Sequence, residues 1–202
     1  MRTLCIVGLA YSGVCGIVAY RMSQPAVSPT PTHAPAPGPG PIGSSDNPES
    51  WYQTMKPFCN SVEVETRMRQ APPPSGQEGA GYAAACFALA GKIDQARQLL
   101  TQLPAGERGG ASAIVFTIGH PVADAGDDRS AGPIMELVLE FWPENYMALY
   151  HAGMSEYTLG QPDLARSHLH RFLELYHDPD GWRSNAIEVL GRLEPGSGRT
   201  DQ

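Results

Sequence analysis

Ala90–Leu100 reads AGKIDQARQLL, and Leu159–Leu169 reads LGQPDLARSHL. Each stretch carries a glycine (Gly91, Gly160), an aspartate three residues on (Asp94, Asp163) and an Ala-Arg pair (Ala96-Arg97, Ala165-Arg166). A leucine follows three beyond the arginine, Leu100 in one and Leu169 in the other. The glycines stand 69 residues apart, about two periods of a ~34-residue repeat. A copy between them should place its glycine near 125 or 126. Gly126 is there, with Ala131 at the offset of Ala96 and Ala165. Seven residues ahead of each glycine sits a small residue: Ala84, Gly119 and Gly153.

This phasing suits a helical hairpin. The glycine ends the first helix and lets the chain reverse. The small residue lies where the two helices cross, so that their backbones can approach. The second helices carry apolar stripes at i, i+3, i+4, i+7: Ala96, Leu99, Leu100, Leu103; Ala131, Met135, Val138, Leu139; Ala165, Leu169, Phe172, Leu173. No alternating run reads as a strand. Together with the Pro143-Glu144-Asn145 stretch ahead of the last hairpin, the pattern resembles the tetratricopeptide repeat family over roughly residues 78–179.

The resemblance implies an all-α solenoid of about three helical hairpins over residues 48–194. It also implies that each hairpin buries its apolar face only by stacking on a neighbour. Asp180 is placed to cap a terminal helix whose Trp182, Ala186, Val189, Leu190 and Leu193 form one stripe, with Arg183, Asn185, Glu188 and Arg192 facing water. At the other end, residues 49–70 read as a degenerate half-repeat or lid, broken at Pro57 and ended by Pro72-Pro-Pro74. The middle copy is the least regular. Pro121 should kink its first helix, and Pro133 is tolerable only in a first turn.

Ahead of the repeats the composition changes twice. Leu4–Tyr20, LCIVGLAYSGVCGIVAY, is uncharged between Arg2 and Arg21, and its 17 residues would span about 25 Å as a helix. Residues 1–23 therefore read as a membrane anchor or a signal sequence. An uncleaved anchor is favoured because no small-x-small cleavage site precedes Arg21, and Val14 suits a lipoprotein box poorly. The slight positive excess at the front would leave the body outside the cytoplasm. Gly8, Ser12 and Gly16 recur every four residues, a spacing through which two such helices could form a homodimer. Gln24–Asn47 alternates proline with Ala, Thr and Gly and reads as a linker, extending up to ~70 Å in polyproline II. Residues 195–202 read as a disordered tail.

The chain has 202 residues, a formal charge of −7 and only 14 Lys and Arg, which form no basic run and argue against nucleic-acid binding. Neither HExxH, GxSxG nor a phosphate loop is present, no Ser-His-Asp order suggests a triad, and no cofactor is implied. Cys59 and Cys86 are the cysteines of the body. They could pair in an oxidising compartment, but without CxxC spacing separate buried thiols are the favoured reading.

The sequence HPVADAGDD, His120–Asp128, gathers one imidazole and three carboxylates. The repeat phasing divides it. Asp127 and Asp128 follow the turn glycine and suit the start of a helix, as Asp94 and Asp163 do. His120 and Asp124 join Phe116 in a row at i, i+4, i+8, and Tyr150, Met154 and Tyr157 form a second row in the next copy. In the family these rows would line the concave groove. The implied function is capture of a partner protein or peptide by a non-enzymatic scaffold of the bacterial cell envelope. The alternative is a metal-binding or hydrolytic protein built on His120, Asp124 and the acidic loop. His168, His170 and His177 read as surface residues.

Overall fold

A computed structural model of the chain describes residues 47–194. The anchor with its Gly8, Ser12 and Gly16 face, nearly all of the proline-rich linker and the tail lie outside the described residues. Within them the protein is all-helical, an all-α repeat fold. The helices are α1 (Pro48–Met55), a 3-10 turn (Lys56–Phe58), α2 (Val64–Gln70), α3 (Gln77–Leu89), α4 (Ile93–Gln102) and α5 (Ala105–Asp124). They continue with α6 (Asp128–Phe141), α7 (Tyr146–Thr158), α8 (Pro162–Leu175) and α9 (Gly181–Leu193). No helix among the described residues is long and apolar enough to cross a membrane.

The pairs α3/α4, α5/α6 and α7/α8 are the three hairpins, and one turn makes them all. Gly91, Gly126 and Gly160 have φ of 72°, 75° and 75°, the left-handed region that side chains avoid. At each turn the glycine N–H and the next N–H fold back on the helix just ended: Gly91 to Ala88 and Lys92 to Phe87, Gly126 to Ala123 and Asp127 to Val122, Gly160 to Tyr157 and Gln161 to Glu156. Carbonyls that the helix end would orphan are thereby satisfied.

The small residues sit at the helix crossings. A Cβ on Gly119 would lie 2.6 Å from the Cγ2 methyl of Ile134, and one on Gly153 would lie 2.7 Å from Cγ of Leu169. The second-helix stripes are the core: Ala96, Leu100, Ala131, Met135, Val138, Ala165, Leu169 and Phe172 are buried, while Leu99, Leu103, Leu139 and Leu173 are half-buried. Full burial of each large side chain contributes about 1.5–3 kcal/mol. The repeated arginines join the stack from outside. Arg97 pairs with Asp94 at 2.5 Å and reaches Glu140 of α6 at 2.7 Å, so it ties one second helix to the next. Arg166 pairs with Asp163 at 2.5 Å and donates to the carbonyl of Leu193.

The N-terminal segment packs on α3. Trp51, Tyr52, Met55, Val64 and Met68 form a buried cluster with Ala83 and Cys86, and the Trp51 indole donates to the carbonyl of Ala71. It covers the first hairpin as a broken hairpin of its own, with the Pro57 turn in 3-10 form. Here Cys59 and Cys86 are bonded. The sequence favoured separate thiols because their pairing depends on how α1 and the turn dock on α3, which spacing alone does not fix.

Two further expectations change. Pro121 lies inside α5, which runs on to Asp124. Only the carbonyl of Thr117 loses its intrahelical donor, and Thr117 is exposed, where water can replace it. Pro133 lies in the second turn of α6, because Asp127 caps that helix earlier than the Pro133 rule implied. On α9, Glu188 and Arg192 face water, but Arg183 donates to the carbonyls of Leu173 and Tyr176, and Asn185 turns inward. The end of α8 needs donors, and Arg183 supplies them.

Gly153→Ala should lower stability in urea denaturation by about 1–3 kcal/mol, since Leu169 is buried and cannot yield freely. Gly106→Ala on α5, where an added Cβ meets nothing, should leave it unchanged or raise it by up to about 1 kcal/mol. The disulfide closes a 27-residue separation, so Cys59→Ser with Cys86→Ser should cost about 3.5 kcal/mol in the same assay.

Candidate functional site

The row Phe116, His120, Asp124 on α5 faces the next hairpin. There it meets His151 of α7. Nε2 of His120 and Nε2 of His151 are 2.8 Å apart. Oδ1 of Asp124 lies 3.5 Å from the first and 3.7 Å from the second. Among the described residues this is the one group of three such side chains able to converge on an ion, with ligand atoms all within 4.8 Å.

Aromatic rings wall the cluster. Phe116 stacks on His120 at 4.8 Å, and Tyr150 and Trp182 present edge-on contacts to His151 at 5.3 and 5.6 Å. Trp142 in turn meets Phe116 at 6.4 Å. His151 is 6 % exposed, His120 28 % and Asp124 49 %, so the cluster has a buried floor and an open rim. Burial, and then the neighbouring His120, push the His151 imidazole down to about 4, against an opposing pull from Asp124. At neutral pH His151 is therefore uncharged, and one imidazole donates its N–H to the lone pair of the other.

The sequence missed His151. The helical row through Tyr150, Met154 and Tyr157 passes beside it, one residue and one face away. Its signal is a single imidazole in an otherwise apolar run, Met147–Met154. That row itself does not line an open groove. Tyr150 is buried, its hydroxyl accepts from Asn185 of α9 at 2.6 Å, and the same amide approaches Met154 Sδ at 3.8 Å. Tyr157, half-buried, packs in the cluster that includes Val189 and Leu190 of α9. The terminal helix covers the face that a further repeat would have used.

Asp127 caps α6, accepting from the Ser130 N–H at 3.2 Å, and Asp128 lies in its first turn; neither joins the His–Asp group. His168 is no bare surface residue: its Nδ1 meets the buried Glu156 carboxylate at 2.8 Å, while His170 and His177 are exposed. Burial, and then the Glu156 charge, raise the nearby Glu136 carboxyl.

Residues 147–178, which span α7 and α8, match the tetratricopeptide repeat family. The third hairpin is thus such a repeat in sequence as well as in form; the first two share its glycine turn, and the second shares its glycine crossing. No curated protein and no solved structure gives a significant match to the chain.

His151 supplies a pH test. Its imidazole titrates lower in the folded chain than the ordinary 6.5, so the unfolded chain binds the extra proton between the two values. In chelator-containing buffer, stability should be full above about pH 6.5 and fall by an order of 2 kcal/mol as pH drops toward 4. His151→Gln should flatten that part of the profile, measured by chemical denaturation at each pH.

Proposed function

We propose that the protein is a non-enzymatic interaction module of the bacterial cell envelope that holds a peptide segment of a partner protein on its helical stack. The observation that carries this is the tetratricopeptide repeat at residues 147–178, set in a stack of three hairpins. The family serves in general as a protein-binding scaffold rather than as an enzyme.

The docking surface runs along α5. Gly109, Ala113, Thr117 and Pro121 form one row at i, i+4, small or short residues that let another chain come close. At one end Gly109 and Ala113 share a shallow apolar pit with Trp142. At the other, Thr117, Ile118 and Pro121 face a cleft with Tyr52, Lys56 and Leu89. Phe116, His120 and Asp124 border the row. Trp142 and Trp182, 40 % and 39 % exposed, are the anchors such surfaces use most. Tyr150, Met154 and Tyr157 support this surface from beneath α9 and do not touch the partner.

Placement outside the cytoplasm, on an uncleaved N-terminal anchor, is part of the same proposal. The bond between Cys59 and Cys86 supports it, since such bonds persist in oxidising compartments. The uncharged Leu4–Tyr20 segment and the proline-rich spacer behind it support it further.

A photo-crosslinking residue placed in cells at position 113 or 117 should trap one partner. The same residue at Gln98 or Ser167, exposed on α4 and α8, should trap none. Thr117→Arg should then lower the affinity of the purified partner at least tenfold with helicity unchanged. Equal trapping from both faces would count against the α5 surface.

A further inference from the structure

We propose that His120, Asp124 and His151 form a binding site for one divalent transition-metal ion of the zinc type. The inference stands apart from the docking proposal: the ion would be held by the chain whether or not a partner is present.

The donor set is two imidazoles and one carboxylate, which suits zinc, cobalt, nickel or iron(II) and does not suit the all-oxygen preference of magnesium or calcium. The spacing is near that of a metal site. Two ligands bound tetrahedrally to zinc at 2.0–2.1 Å lie about 3.4 Å from each other. Asp124 Oδ1 is 3.5 and 3.7 Å from the two Nε2 atoms, close to that value. The nitrogens themselves are 2.8 Å apart, joined by a hydrogen bond, and would open by about 0.6 Å to admit the ion. The imidazole that donates that bond would carry its proton on Nδ1 instead, freeing the Nε2 lone pair. His120 and Asp124 are partly exposed and so can make this adjustment.

The surroundings have the form of a metal pocket. Phe116, Tyr150 and Trp182 make an apolar wall behind the donors, which limits competition from water, while the Asp124 side remains open for entry. Three protein ligands leave a further coordination position for water. The ligands come from α5 and α7, so the ion would cross-link the second hairpin to the third.

The test uses the full-length chain, purified in mild detergent without a histidine tag, stripped with a chelator and dialysed. Zinc is titrated by calorimetry, cobalt(II) by its visible absorption, and melting is followed by circular dichroism. The expected result is one equivalent of zinc bound, a melting temperature raised by zinc and not by magnesium, and a cobalt spectrum showing nitrogen ligation. His120→Ala and Asp124→Asn, at accessible positions, should each keep the helical spectrum and bind zinc at least tenfold more weakly. His170→Ala, at an exposed histidine outside the cluster, should bind as the unaltered chain does. Zinc affinity and thermal shift that are the same in His120→Ala and Asp124→Asn as in the unaltered chain would overturn the proposal. So would an unaltered chain that binds no zinc.

Discussion

The second and third hairpins each depend on a side chain that is missing. Where α7 crosses α8, Leu169 occupies the space a Cβ on Gly153 would need, and Ile134 does the same at Gly119 in the hairpin before. Backbones that approach so closely bury the leucine-rich stripe of the second helix against the first. The stripe then has one side still uncovered, and only the next hairpin covers it. Stacking follows from that shortage, and with it the need for special arrangements at both ends. At the front a broken hairpin rich in Trp51, Tyr52 and Met55 provides cover, and at the back α9 does.

The parts of this fold legible in the sequence are those that repeat along the chain. Turn glycines, crossing positions and stripes have fixed offsets of a few residues, so one clear copy near Gly160 revealed the others. The N-caps at Asp127 and Asp180 were readable too, since each carboxylate stands directly ahead of an apolar helical stripe. Features that depend on which helix meets which were not. His151 joins His120 across 31 residues, Asn185 joins Tyr150 across 35, and Glu156 finds His168 in the facing helix. Each is one polar residue placed opposite another, a relation with no period to betray it. The bond between Cys59 and Cys86 belongs to the same class.

The two aromatic rows turn out to be one face used twice. On α5 it receives His151 of α7; on α7 it receives Asn185 of α9. In both places the side chain that arrives is polar and hydrogen-bonds to what it meets. A stack held by aliphatic contacts alone could slide, because leucine and valine accept many registers at small cost. A 2.8 Å contact between imidazoles, or a 2.6 Å contact between an amide and a phenol, accepts only one. These polar pairs therefore fix how each hairpin is turned upon the next, while the apolar stripes supply most of the stability.

The disulfide also sets how force would travel. Tension applied to the chain at residue 47 enters α1, reaches Cys59 and passes through sulfur into Cys86 on α3. Residues 60–85 are then a slack loop outside the loaded path, and α2 with its partner contacts carries none of the pull. The first element to feel a load beyond the bridge is α3 itself, gripped on one side by α4 and on the other by α5. The bridge thus shields α2 and the front of α3 from a pull that α1 must bear in full.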